Sequence, residues 1–149
     1  MAKAICFDMD GTIADLYSVN GWKNMLNNSN SKAYLQAEPM FDMQELNGIL
    51  SQLKNAGWYI VVISWGSMGS SKCFLEETKV AKIEWLNAVQ FPYDSIHCIK
   101  YGSSKSKALG CKFEMGILVD DNESVREKWK LGDTLNPSEN LIEELKKLL

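Results

Sequence analysis

Ala4-Ile5-Cys6-Phe7-Asp8-Met9-Asp10-Gly11-Thr12 begins with four apolar residues and then turns abruptly acidic. A continuous apolar run fits a strand covered on both faces, whereas a strand with one wet face would alternate. Strands of that kind belong to parallel sheets, and the chain supplies more of them. Trp58-Tyr59-Ile60-Val61-Val62-Ile63 is a second and stops at Ser64. Residues 95–99 read as a short third, and Gly116-Ile117-Leu118-Val119 is a fourth, closed by Asp120-Asp121.

Helical patterns lie between these runs. Residues 42–56 carry Asp42 and Glu45 in capping-box spacing, an apolar stripe of Leu46, Ile49, Leu50 and Leu53, and Gly57 as a stop. Residues 70–89 read as a long amphipathic helix with Phe74, Leu75, Val80, Ile83 and Leu86 among its apolar positions. A helix over residues 124–130 follows the fourth strand, and Pro137 opens a last one. Residues 13–41 are polar and mixed, with a loop at Asn27-Asn28-Ser29-Asn30 and short helices on either side. Alternating strands and helices predict an α/β fold, a single Rossmann-like doubly wound parallel sheet with helices on both faces. With neither internal repeat nor linker, residues 1–149 read as one domain.

Composition narrows the function classes. A net charge of −3 and a pI near 5.2 disfavour a protein built to grip duplex nucleic acid, where basic excess drives binding. The basic run Lys100, Lys105, Lys107, Lys112 is by itself only a solvated stretch. Four cysteines without C-x-x-C spacing, beside the one histidine His97, disfavour zinc. Cys6 and Cys98 read as buried reduced thiols, which with the absence of a signal-like or membrane-spanning segment predicts a cytoplasmic, non-membrane protein.

The chemistry gathers where the strands end. Ligands of open parallel sheets bind beyond the carboxyl ends of the strands. Here those ends are Asp8 and Asp10, then Ser64, then Asp120 and Asp121. Two facing carboxylate pairs repel by roughly several kcal/mol at low effective dielectric. A hard divalent cation with oxygen ligands offsets that, and magnesium readily takes a phosphate oxygen as a further ligand. A phosphate ester is therefore the leading substrate class.

The run Asp8-Met9-Asp10-Gly11-Thr12 resembles the first motif of the haloacid dehalogenase (HAD) superfamily of phosphohydrolases. Ser64, Lys105 and Asp120-Asp121 follow in that family's order, so the likeness spans roughly residues 3–130. With Ile13-Ala14-Asp15-Leu16 added, the motif looks most like the deoxyribonucleotidase-like branch. The resemblance implies a HAD-like fold and a magnesium-dependent phosphohydrolase that cleaves a phosphomonoester, with a nucleotide among the candidates. On the matching positions, Asp8 would attack phosphorus and form an aspartyl-phosphate, and Asp10 would act as acid and then base. Gly11 would allow the turn, and Thr12 would fix it. Ser64 would bind a phosphate oxygen, and Lys105 would neutralise charge. Asp8, the backbone carbonyl of Asp10, and Asp120 would hold Mg²⁺, supported by Asp121.

Ser103 or Ser104 reads as a helix N-cap, which puts Lys105 in a first turn where the helix dipole disfavours a cation. That local misfit points to a functional lysine, with Lys107 and Lys100 as rivals. Asp10 and Asp121 taken singly also fit turn or cap roles, and serine after a strand is commonplace. Asp15 and His97 read as structural. Arg126 reads as a helix anchor through a salt bridge. Trp22 and Trp65 lie near the expected mouth, where either could stack on a flat group or pack in the core.

Residues 13–41 leave room for a small lid and for little or no cap. Either the site opens to larger phosphates or a second subunit of a homo-oligomer covers it. Three functions follow: a phosphomonoesterase on a small phosphorylated substrate, an end-processing phosphatase on a nucleic-acid or protein phosphate, or a catalytically silent binding module.

Overall fold

The computed structural model describes residues 2–149. In chain order its elements are β1 (Ala2–Phe7), β2 (Ala14–Asp15), a 3-10 turn (Leu16–Ser18), α1 (Trp22–Asn27), α2 (Lys32–Leu35) and β3 (Glu38–Pro39). There follow α3 (Met43–Asn55), β4 (Trp58–Trp65), α4 (Lys72–Ala88), β5 (Ser95–Ile99), α5 (Lys105–Leu109) and β6 (Phe113–Val119). α6 (Glu123–Lys128), β7 (Thr134–Leu135) and α7 (Leu141–Lys146) complete the chain. The main sheet runs β5-β4-β1-β6-β7 with every pairing parallel. Among the described residues no helix is long and apolar enough to cross a membrane.

The unbroken apolar run of β1 puts it in the middle, where both neighbours hide it and residues Ala4 to Phe7 lose all exposure. Alternate side chains then serve opposite faces. Ile5, Phe7, Ile60, Val62, Ile117 and Val119 pack with Leu46, Leu50 and Leu53 of α3 and Leu141 and Leu145 of α7. Ala4, Cys6, Val61, Ile63 and Leu118 pack with Leu109 of α5, Val125 of α6 and Trp129. Fully burying one such aliphatic side chain stabilises the fold by about 1.5–3 kcal/mol. The result is the doubly wound α/β arrangement, with β4 and β5 on one side of β1 and β6 and β7 on the other. The order reverses between β1 and β6, and the carboxyl ends of β4, β1 and β6 open into one crevice.

Several elements differ from the sequence-based expectation. The sheet has five strands, because Thr134 and Leu135 pair with Leu118 and Val119 as an edge strand too short to show periodicity. Gly132 permits that return, since a β-carbon there would meet the Gly116 carbonyl oxygen at 2.7 Å. The buried face of α4 carries Phe74, Thr78, Ala81, Lys82, Trp85 and Leu86, while Val80 is 65% exposed. α6 stops at Lys128, two residues early, where Trp129 turns extended and its indole donates to the Gly116 carbonyl at 2.8 Å. Pro137 lies in a turn, and α7 begins only at Leu141, after Asn140 in a left-handed conformation. Cys98 is half-buried rather than enclosed like Cys6.

Half of the capping box expected for α3 forms: Asp42 Oδ1 accepts from the amides of Gln44 and Glu45 at 3.0 and 3.3 Å, while among the described residues the Glu45 carboxylate makes no return bond to the Asp42 amide. Residues 13–41 fold into the two-residue β2–β3 ladder and the short helices α1 and α2. Leu16, Leu26, Ala33 and Tyr34 from this insert pack on Phe74 and Ala81 of α4, which lodges it beside the crevice.

Candidate active site

Asp8 follows directly on β1, and its amide donates to the Val119 carbonyl at 2.9 Å, so the last rung of the sheet sets its position. The chain then doubles back: the amides of Thr12, Ile13 and Ala14 all donate to the Met9 carbonyl at 3.0–3.1 Å. Gly11 makes the reversal at φ 81°. This tight loop brings the fully buried Thr12 hydroxyl within 2.8 Å of Asp8 Oδ2 and 3.1 Å of Asp121 Oδ1. The Asp121 amide in turn donates to Thr12 Oγ1 at 3.2 Å. One threonine thus ties the end of β1 to the end of β6.

Ser104 caps α5 by accepting from the Lys107 amide at 3.3 Å, which places Lys105 at the helix start. Lys105 is buried, and its Nζ donates to Asp8 Oδ1 at 2.8 Å and Asp120 Oδ2 at 2.9 Å. Burial would lower its pKa, but the charges of Asp8 and Asp120 raise it, so the group stays an ammonium. Asp120 Oδ1 accepts from the Asn122 amide at 2.9 Å. Among the described residues Arg126 forms no salt bridge. Its guanidinium donates to the Asp120 carbonyl at 2.9 Å and so anchors α6 to the strand end.

Asp8, Asp120 and Asp121 each offer an oxygen within 4.8 Å of the others. Three carboxylates face the single ammonium of Lys105, an excess of negative charge. Burial, then the neighbouring charge of Asp8, pushes the Asp121 carboxyl up to about 7. Burial and Asp8 also raise Asp120, against the pull of Lys105. Such an all-oxygen, under-compensated cluster fits a hard cation such as Mg²⁺.

The carboxylate of Asp10 turns elsewhere. It pairs at 2.9 Å with Lys82 of α4, a fully buried lysine absent from the sequence-based site. Burial pushes Asp10 above the ordinary carboxylate range, with Lys82 opposing. Lys82 also donates to Ser64 Oγ at 2.5 Å and to the Trp65 carbonyl at 3.0 Å. Ser64 itself is buried at the end of β4.

A cleft of about 510 Å³ opens above these groups, with Asp8, Asp10, Ser64, Lys105, Asp120 and Asp121 in its floor. Its rim carries two aromatic pairs. Trp65 ends β4 and Tyr101 lies in the turn after β5, while Tyr17 and Trp22 come from the insert, each pair with ring centroids 5.0 Å apart. Tyr17 stays protonated, since burial and then the charges of Asp10, Asp8 and Asp121 raise its pKa. Trp65 is fixed by its indole donating to the Ser103 carbonyl at 2.9 Å. Of the residues singled out in the sequence, Lys107, Lys100, Asp15 and His97 do not line the cleft.

No protein-family model matches the sequence, and no curated protein does. Among solved structures, the chain resembles one in the Pnkp1/Rnl/Hen1 RNA repair complex, with a TM-score of 0.63 and 19% identity over 91% of this chain. The match spans 42% of that chain, so the present sequence corresponds to less than half of it. It also resembles the D,D-heptose 1,7-bisphosphate phosphatase of Burkholderia thailandensis, with a TM-score of 0.49, 15% identity, and 84% of this chain against 70% of that one. At such identities the likeness is one of fold: the chain has the Rossmann-like α/β arrangement, a parallel sheet flanked by helices.

Proposed function

We propose that the protein is a magnesium-dependent phosphohydrolase that cleaves a phosphomonoester through an aspartyl-phosphate on Asp8. The single observation carrying this reading is the meeting of Asp8, Asp120, Asp121 and Lys105 at the carboxyl ends of two parallel strands. Asp8, the Asp10 carbonyl and Asp120 would hold Mg²⁺, with Asp121 in support. When bound, the ion supplies charge neutralisation for the phosphate oxygens.

An oxygen of Asp8 attacks phosphorus, and the bond to the ester oxygen breaks with its electron pair. That oxygen takes the proton of the Asp10 carboxyl as the alcohol leaves. A water then attacks the same phosphorus and gives its proton back to Asp10. The bond between phosphorus and Asp8 breaks, restoring the carboxylate and releasing inorganic phosphate. Ser64 and Lys105 bind the non-bridging oxygens as charge redistributes. The raised proton affinity of Asp10 supports its acid role.

The aromatic rim supports a leaving group with a flat ring, as in a nucleotide. The insert at residues 13–41 is small, with helices of six and four residues, which leaves an open mouth in keeping with a phosphorylated nucleic-acid end as the second reading.

The test is hydrolysis of an aryl phosphate with Mg²⁺, then of nucleoside monophosphates, sugar phosphates and phosphorylated oligonucleotides. Activity should vanish with a chelator and in Asp8→Asn. No turnover above that variant anywhere in the panel would leave a silent binding module instead.

A further inference from the structure

The mechanism above makes no use of Lys82, although it is the most deeply enclosed charged side chain among the described residues. It sits in the middle of the 17-residue α4 with no exposure at all. A lysine is rarely buried unless every proton of its ammonium is satisfied. Here each has an acceptor: Asp10 Oδ2 at 2.9 Å, Ser64 Oγ at 2.5 Å and the Trp65 carbonyl at 3.0 Å. The face of the Tyr34 ring lies 4.7 Å from the same nitrogen. The three acceptors come from the ends of β1 and β4, and a continuous helix holds the donor. A salt bridge needed only for stability would require one carboxylate. This cation grips two groups from different strands that must both face the same phosphate.

We propose that Lys82 is a positioning residue for the proposed phosphohydrolase, holding the Asp10 carboxyl where it meets the leaving oxygen and keying it to Ser64. The inference rests on the phosphatase reading, and it goes further in giving α4 a part in the first chemical step. Lys82 reaches the leaving oxygen only through Asp10, and the non-bridging oxygens only through Ser64. Loss of Lys82 should therefore hurt most where the leaving oxygen most needs a proton. A nitrophenolate leaves without help, whereas an alkoxide does not.

The experiment compares 4-nitrophenyl phosphate with a simple alkyl phosphate, reading the single-turnover rate of the first step in wild type, Lys82→Met and Lys82→Arg. General acid catalysis contributes about 10²–10⁴-fold, so the alkyl ester should slow by about 10²-fold or more in Lys82→Met. The nitrophenyl ester should slow by less than about tenfold, because it draws little on the acid. KM should change little for either. Lys82→Arg, which keeps the charge but displaces the head group, should show the same selective loss, and it decides the matter should Lys82→Met not fold. In an Asp10→Asn background, adding Lys82→Met should cost nothing more on the alkyl ester.

Equal losses on both esters would overturn the inference by making Lys82 a scaffold only. So would a rise in KM alone, which would mean that Lys82 serves only Ser64. A wild-type protein that hydrolyses neither ester sinks the phosphatase reading itself, a different outcome from an active enzyme with uniform losses.

Discussion

Gly11 approaches Asp121 so closely that a β-carbon on it would lie 2.7 Å from Asp121 Oδ2. Its φ of 81° lies in the left-handed region, so the backbone favours glycine, and any side chain there must displace Asp121. The loop after β1 is thereby wrapped against the end of β6, which holds two of the three clustered carboxylates. Gly11→Ala should push Asp121 away and lower stability by about 1 kcal/mol or more through the backbone alone. On the proposed function, Mg²⁺ should raise the Tm of the wild type, and the expected signature of Gly11→Ala is the loss of that rise together with at least a tenfold fall in aryl phosphate hydrolysis. A variant with an unchanged Mg²⁺-dependent Tm would show that this contact does not shape the cluster.

Lys105 and Lys107 stand two residues apart in α5, but only Lys105 is buried against Asp8 and Asp120. Lys107 uses its amide to close the Ser104 cap and does not line the cleft. Removing a preorganised donor from a reacting centre costs about 10²–10³-fold in kcat. Lys105→Met should show a loss of that size, while Lys107→Met should stay within about twofold of wild type because exposed charges contribute little. Comparable losses in the two variants would point to a general effect of positive charge near the mouth rather than to the geometry.

The four cysteines sort by burial. Cys73 and Cys111 are exposed, Cys98 is half-buried and Cys6 is enclosed beneath the sheet. Burial pushes the Cys6 thiol up from 9.0 to about 12. The folded protein holds that proton more tightly than the unfolded chain does. This contribution to stability is fully present below about pH 9 and is lost as the pH rises from about 9 toward about 12. Under native conditions near pH 8, iodoacetamide should modify Cys73 and Cys111 and leave Cys6 intact, as peptide mass mapping would reveal. Early labelling of Cys6 would mean that the β1 layer opens far more often than its packing allows.

Much of this was legible because it is local. An apolar run ending in Asp8-Met9-Asp10-Gly11-Thr12 determines a buried strand and a tight turn within nine residues, and Asp120-Asp121 repeat the pattern at β6. Lys82 was hidden for the opposite reason. Its helix face can be counted, since Phe74, Thr78 and Lys82 recur at four-residue steps, but Val80 and Ile83 draw an apolar stripe of another phase. What makes burial of the lysine tolerable is a set of acceptors 17, 18 and 72 residues away in the chain. No local propensity encodes that. The β7 strand was lost likewise, because two residues contain no period and depend on pairing with β6.

Tyr101 gives the most direct route to the substrate. It is 47% exposed at the rim, leans on the anchored indole of Trp65, and among the described residues makes no hydrogen bond to the acids in the floor. Its removal therefore separates recognition of the leaving group from chemistry on the phosphate. Stacking of a base on an aromatic side chain is worth about 1–3 kcal/mol, or roughly 5–150-fold in affinity. Tyr101→Ala should raise KM for a nucleoside monophosphate within that range and leave kcat nearly unchanged. For a small aliphatic phosphate, which has no ring to stack, both constants should stay at their wild-type values. A KM that rises equally for the two substrates would assign Tyr101 to the shape of the cleft rather than to a base, and a KM unchanged for both would place the leaving group on the Tyr17–Trp22 side instead.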